Sequence, residues 1–194
     1  MRALARDALV WLGVAATAPL WLAARLERRW GRSDGWFAGC AELLSLVPGK
    51  PGIFLRRSFY RMTLPACATD SHVGFGSTLA HPDAEIHAGA YIGSRCTLGS
   101  VIVEEDVMIG SNVDVLSGRR QHGFARRHVP IQRQPGTFER VRIGRNSWIG
   151  NSSVIMADVG RHCVIGAGAV VVKPIPDGCV AVGNPATVIR ATAA

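Results

Sequence analysis

The stretch VRIGRNSWIGNSSVI, residues 141–155, sets Ile143, Ile149 and Ile155 six positions apart. The same spacing links Val73 to Leu79, then Ile86, Ile92 and Leu98, then Val103, Ile109 and Val115, and finally Val159, Ile165 and Val171. A small residue, most often Gly, tends to follow the aliphatic one, as in IGSRCT (92–97), IGSNVD (109–114) and IGAGAV (165–170). Half-buried strands alternate with a period of two and helices with one of about 3.6, so a period of six matches neither. It fits a coil with three short flat sides, each contributing one inward aliphatic residue. The Gly after that residue is expected to serve the tight corner between sides. The phase slips from Leu98 to Val103 and from Ile155 to Val159 read as corners with a residue more or less.

One interruption breaks the series: SGRRQHGFARRHVPIQRQPGTFER, residues 117–140. A loop this long in a compact repeat points to function. It holds Arg119, Arg120, Arg126, Arg127, Arg133 and Arg140 together with His122 and His128, against the single acid Glu139. The whole chain has a formal charge of +8, and Lys50 and Lys173 are its only lysines. Such a balance suggests phosphates, a membrane face or nucleic acid as partners. No helix-turn-helix, zinc-finger or base-stacking motif accompanies it, which argues against nucleic acid. The five cysteines, Cys40, Cys67, Cys96, Cys163 and Cys179, show no C-x-x-C spacing and read as reduced cytoplasmic thiols.

Composition changes near residue 65, dividing the chain into a helical segment (1–65) and a β-helix domain (66–194). The first part holds Trp11, Trp21, Trp30 and Trp36 and the uncharged run Ala8 to Ala24, which is short for an unaided membrane span and is interrupted by Pro19. Arg25, Arg28, Arg29 and Arg32 follow it. This arrangement suits a membrane interface; a cleaved signal peptide, and burial against the rest of the chain or within an oligomer, are the competing readings. A second helix is expected over about 35–47, with Trp36, Phe37, Cys40, Leu43, Leu44 and Val47 on one face. Pro48 to Gly52 should break it, and residues 53–64 read as a third helix.

The quoted repeats, with VIGAGAVVVKPIPDGCVAVGNPATVIR (164–190), resemble the hexapeptide-repeat acyltransferases, in particular the maltose and galactoside acetyltransferases and the polysaccharide acyltransferases. The likeness covers about residues 73–190 and is most specific over 143–190. It implies a mainly β fold, a left-handed parallel β-helix, with an N-terminal apolar helical segment. It also implies acyl-CoA, chiefly acetyl-CoA, as donor, a sugar or lipid-linked glycan hydroxyl as acceptor, a homotrimer, and no metal. The expected location is the cytoplasm, at the inner face of the cytoplasmic membrane.

O-acyl transfer needs a base for the acceptor hydroxyl, a task that suits histidine. In the resembling family this base opens such an excursion after an I-G-x-N repeat, which matches His122; His128 is second choice. Asp114, just before the loop, could orient the imidazole, as could Glu139. By the same resemblance Trp148, Asn151, Gly166 and Ala167 match the pantetheine channel, with the amides of 166–168 exposed. Lys173 and Arg190 match positions facing the nucleotide phosphates. Three positions depart from the pattern: Asn151 stands for a frequent Ser, Val172 for a frequent Thr and Thr187 for an Arg. The acceptor-positioning Asn has no counterpart in 93–97, where Arg95 suits an acidic or phosphorylated acceptor alongside Arg119 and Arg120. A γ-class carbonic anhydrase would need a His five residues before His122, and Ser117 stands there. A silent trimeric scaffold is the remaining alternative.

Overall fold

The computed structural model describes residues 2–31 and 34–192; within it residues 2–11 and 30 are described by their backbone alone, so the side chains of Trp11 and Trp30, and Arg32 entirely, lie outside the described set. From Ala66 the chain winds through about six coils of a parallel β-helix. Face one carries the strands Ala66–Cys67, Glu85–Ile86, Val101–Val103 and Val141–Ile143, continued by bridges through Val159 and Ile175. Face two carries His72–Val73, Tyr91–Ile92, Met108–Ile109, Trp148–Ile149, Val164–Ile165 and Cys179–Val182. Face three carries Thr78–Leu79, Thr97–Leu98, Asp114–Val115, Val154–Ile155 and Val170–Val171. The periodic aliphatics stand in register: Val73, Ile92, Ile109, Ile149 and Ile165 form one buried column, and Leu79, Leu98, Val115, Ile155 and Val171 another.

The spacing of six holds without exception from face one to face two and from face two to face three. Every irregularity falls at the corner from face three to face one: seven positions from Leu79 to Ile86, five from Leu98 to Val103, four from Ile155 to Val159 and four from Val171 to Ile175. The loop 117–140 enters at this same corner. Two corners are thus fixed by the ladder, and the third absorbs all length variation.

The glycine after each aliphatic does a different job from the one expected. The left-handed conformation belongs to the residue two places later, at Arg95 (φ 55°), Asn112 (φ 56°), Asn146 (φ 55°) and His162 (φ 55°). The glycine itself is needed for clearance between coils: a Cβ on Gly93 would lie 2.5 Å from the carbonyl oxygen of Gly110. The residues at positive φ tolerate it at a small cost, and the Asn side chains suit the conformation.

Three helices precede the coil: α1 (Arg2–Trp30), α2 (Gly35–Ser45) and α3 (Gly49–Thr63). Pro19 does not end α1. The carbonyl it leaves unbonded belongs to Ala15, and both residues lie on the exposed side, where water can serve it. The Pro-Gly segment ends α2 as expected but also begins α3, because Pro51 falls in the first turn, where its missing N–H has no helical partner to lose. On α2 the structure divides the expected face: Phe37, Cys40, Ala41 and Leu44 are buried, while Trp36 and Leu43 are exposed.

α2 and α3 close the first coil. Phe37, Phe59 and Tyr60 are buried there, with the Phe37 and Phe59 rings stacked at 5.8 Å. Arg56 is buried beside them. Its guanidinium donates to the carbonyls of Leu44 (2.9 Å) and Val47 (2.9 Å) at the end of α2, and to Val73 O (3.0 Å) in the first coil. The negative end of a helix is a favourable place for a cation, and this one fastens two helices to the β-helix. Burial, the main influence, lowers its pKa.

On the outer side of face one, Glu104 accepts from Arg142 and from the backbone N–H of Arg145 (2.9 Å), with Arg161 at 3.8 Å. Partial burial pushes its carboxyl up, but these hydrogen bonds and charges outweigh it and hold the group below the ordinary glutamate range. A depressed carboxylate stabilises the fold above its unfolded pKa, and that contribution is lost as pH falls through the folded value. Glu104→Gln should therefore cost about 1 kcal/mol at pH 7, given half-exposed arginines, and the deficit should close toward about pH 3 in denaturant melts. A deficit independent of pH would contradict it. Gly93→Ala should destabilise by about 2–4 kcal/mol through the clash between coils. Gly168→Ala, at φ 70° with open space around it, should cost only about 1 kcal/mol.

Candidate active site

The loop 117–140 is held by its own hydrogen bonds. Its two limbs pair at the base, where Glu139 N–H donates to Ser117 O (3.0 Å) and Thr137 N–H to Arg120 O (2.7 Å). Farther out, buried Gln134 clamps the tip: its Oε1 accepts from Arg126 N–H (3.0 Å), and its Nε2 donates to the carbonyls of Arg126 (2.9 Å) and Val129 (2.8 Å). Gly136 lies so close to the Gln121–His122 peptide that any larger residue would strike it. The backbone of His122 is thus fixed while its imidazole is exposed. His128 is exposed as well, and among the described residues neither ring has a hydrogen-bond partner.

Asp114 points outward from face three, between Thr97 and Val154 of the adjoining coils. It lines a groove of about 320 Å³ with His81, Thr97, Ser117 and Gln121. The groove brings Asp114 to the foot of the loop, next to the residue preceding His122, without a hydrogen bond between the two side chains. Glu139 instead packs against Gly118. Arg119 lines a separate cavity of about 320 Å³ with Glu139, Arg140, Met156 and Asp158. Arg120 is exposed beside it. Arg95 stands at the corner between faces two and three, its Nε donating to Asn112 Oδ1 (2.9 Å). Within one chain the three candidate acceptor arginines are therefore not gathered together.

Residues matched to donor binding gather on face two and its corner with face three. Trp148 projects from face two between Met108 and Val164, and its exposed side chain continues a stripe with Tyr91 and Met108. Asn151 turns its carboxamide back to the previous coil, where Oδ1 accepts from Ser111 N–H (3.0 Å). The amides at this corner follow a ladder. Ser94 N–H is capped by the hydroxyl of Ser111 (3.3 Å), and Ser111 N–H by Asn151. The next position up is Ala167, which has no acceptor. Among the described residues the backbone N–H groups of Asn151 and Ala167 consequently have no partner, on adjacent coils and on exposed residues; at the first coil Phe75 N–H is likewise uncapped. The amides of Gly166 and Gly168, expected to be available, are used, donating to Ala181 O (2.9 Å) and Asn151 O (2.9 Å). Lys173 is exposed just past face three, and Arg190 is exposed on the final antiparallel strand Thr187–Ala191, opposite Val180.

A profile of the bacterial transferase hexapeptide family (six repeats) matches residues 140–173. Over that stretch the chain carries the repeat of this family. Its relatives include the galactoside O-acetyltransferase of Escherichia coli (strain K12), 37% identical over 94 residues that make up 47% of this chain and 44% of that protein. The matched segments span less than half the length of the curated relatives. A galactoside acetyltransferase solved in complex with coenzyme A shares the fold with a TM-score of 0.68 at 22% identity, over 81% of this chain and 80% of that one. A maltose O-acetyltransferase from Clostridium difficile 630 does so with a TM-score of 0.62 at 22% identity, over 81% and 86%. Among the described residues no three His, Cys, Asp or Glu side chains converge as a metal site.

The Ala167 amide is among those expected to be exposed; that of Asn151 escaped sequence reasoning because it is a backbone group, although the Ser94, Ser111, Asn151 ladder ending at an alanine is a visible trace of it. Gln134 escaped it because its partners become neighbours only once the loop folds. Gln134→Ala should release the loop tip: amide exchange at Arg126 should speed up by about fivefold or more, one lost hydrogen bond being worth about 1 kcal/mol or more when its partners are left buried. Global stability should hardly change. Unaltered exchange would show that Gln134 does not hold the tip.

Proposed function

We propose that the protein transfers an acyl group, acetyl in the first instance, from a coenzyme A thioester to a hydroxyl of a sugar or lipid-linked glycan. It does so as a homotrimer at the inner face of the cytoplasmic membrane. The observation that carries this reading is the pair of uncapped, exposed N–H groups of Asn151 and Ala167 on adjacent coils beside Trp148. Such fixed donors suit a thioester oxygen that gains charge as it is attacked, and the amide carbonyls of an extended pantetheine arm. The acetyltransferase relatives support acyl transfer as the reaction class.

His122 takes the proton from the acceptor hydroxyl while the oxygen attacks the thioester carbon. The oxyanion rests on a corner amide. Collapse breaks the carbon–sulfur bond, and the imidazolium returns the proton to the departing thiolate. The attacking oxygen comes from the acceptor, so no enzyme nucleophile is required. Lys173 and Arg190 pair with the nucleotide phosphates, Arg95, Arg119 and Arg120 with acidic or phosphorylated groups of the acceptor, and Asp114 steadies the base.

Assembly is part of the proposal. The loop leaves the coil at the corner of faces three and one, whereas the uncapped amides lie at the corner of faces two and three. A neighbouring copy set against this edge would place its loop over them, and the exposed stripe Tyr91, Met108 and Trp148 offers apolar surface for the contact. His122→Ala should lower acetyl-CoA-dependent turnover by about 10²–10⁴-fold while leaving the calorimetric Kd for coenzyme A unchanged. Arg190→Ala and Lys173→Ala should each weaken that Kd by about tenfold. Undiminished turnover would remove His122 as the base, and a wild-type protein that binds no coenzyme A would favour a silent scaffold.

A further inference from the structure

The solvent side of α1 consists of Leu12, Ala15, Ala16, Pro19, Leu22 and Leu26, spaced three and four apart and all apolar. The opposite side is committed to the rest of the chain. Thr17 and Ala24 are buried, and Gly13 lies tight against Ser58 of α3. Next to α1, α2 leaves Trp36, Leu43 and Leu46 exposed. A trough of about 400 Å³ runs between the two helices, walled by Leu20, Trp36, Cys40 and Leu43. Its carboxylate, Glu27, accepts the backbone N–H of Trp36 (2.7 Å), and Glu42 is exposed on α2. Apolar surface is thus continuous across two helices. A contiguous patch of this kind on one element pair marks a surface with a partner.

At the C-terminal end of α1 the character changes to cationic. Arg25, Arg28 and Arg29 are exposed and, with Trp21, Phe37 and Met62, line a cleft of about 360 Å³. The guanidinium of Arg25 lies over the Trp21 ring at 5.2 Å, and Arg28 is 3.6 Å from Asp34. Among the described residues no carboxylate comes within ion-pair distance of Arg25 or Arg29. This cleft therefore has an apolar floor and a cationic rim, the chemistry that takes the phosphate and upper acyl chain of an anionic lipid.

We propose that this face lies flat on a bilayer leaflet containing anionic lipids, with the apolar sides of α1 and α2 at the acyl boundary and Arg25 and Arg29, which flank the apolar stripe, on lipid phosphates. The choice of occupant rests on the membrane-side reading above. In this arrangement α1 lies on the membrane; among the described residues no helix is long and apolar enough to cross one. Because α2 and α3 close the first coil, the bilayer sits at that end of the β-helix. The loop 117–140 then stands two to three coils beyond the first, roughly 10–15 Å at a ladder spacing of about 4.8 Å, plus about 10 Å for the helix layer between the coil and the leaflet. That distance suits an acceptor whose lipid remains in the leaflet.

Flotation of the full chain with phosphatidylcholine vesicles, with and without about one third phosphatidylglycerol, tests the proposal. Binding should require the anionic lipid and weaken with salt. Replacing Arg25→Ser and Arg29→Ser together should lower partitioning roughly thirtyfold, and Leu22→Glu with Leu26→Glu should abolish it. The arginines are exposed, so their replacement leaves the fold intact and the test valid even where the leucine variant fails to fold. Three results would overturn the proposal: no flotation of the wild type, arginine-independent flotation, or a leucine variant that still floats but sediments at a smaller mass, which would make the face a contact between copies. Calorimetry with coenzyme A separates this from the catalytic reading. Flotation without coenzyme A binding would sink acyl transfer and leave the surface standing, whereas coenzyme A binding without flotation would do the reverse.

Discussion

Each coil must lay its backbone on the next at β-ladder spacing, about 4.8 Å, and the rest of the structure follows from that contact. The periodic inward positions are aliphatic, because they fill the narrow core between three faces, while smaller inward positions admit Ser77, Ser147 and Ser153, each donating to a carbonyl of the following coil. The residue after each must clear the carbonyl of the next coil, which excludes a side chain at Gly93. The residue two beyond must enter the left-handed region to turn the corner. With two corners fixed in this way, insertions are confined to the third. The loop that carries His122 occupies the one edge where the ladder tolerates extra chain.

A stacked coil has two ends, and each needs closure. At the last coil an antiparallel strand, Thr187–Ala191, lies along face two. At the first, α2 and α3 bury an aromatic cluster, and Arg56 ties helix ends to Val73. Burying a guanidinium without a carboxylate carries a high desolvation cost, offset by several carbonyl acceptors at a helix C-terminus. Closure also decides what is left over. With one side of α1 and α2 used against the coil and α3, their other sides form a free apolar surface ending in arginines.

The candidate donor corner arises from an exception to the same ladder. Amides at a corner face outward and are capped by a side-chain acceptor from the following coil, as Ser111 caps Ser94 and Asn151 caps Ser111. Where the following residue is Ala167 the caps stop, and the N–H groups of Asn151 and Ala167 are open to a ligand. A polar side chain at 167 would fill the position that the proposed reaction needs empty.

The β-helix, the place of the loop, the three-helix segment before it and the candidate side chains were legible in the sequence, because an inward aliphatic every six residues is a local pattern that one period identifies. Sequence alone put the glycines at the corners, had Pro19 interrupting the apolar run, grouped Trp36 and Leu43 with Phe37 and Leu44 on one face of α2, and expected free amides at Gly166 and Gly168 as well as at Ala167. Each of these depends on what lies across a coil or helix contact. The cap on Ser111 comes from a residue forty positions away. The tolerance of Pro19 depends on which side of α1 faces water, and the exposure of Trp36 on which side of α2 meets the coil. Such matters are settled in three dimensions, since the partner that uses or frees a polar group, or covers an apolar one, is set by stacking and not by neighbours in the chain.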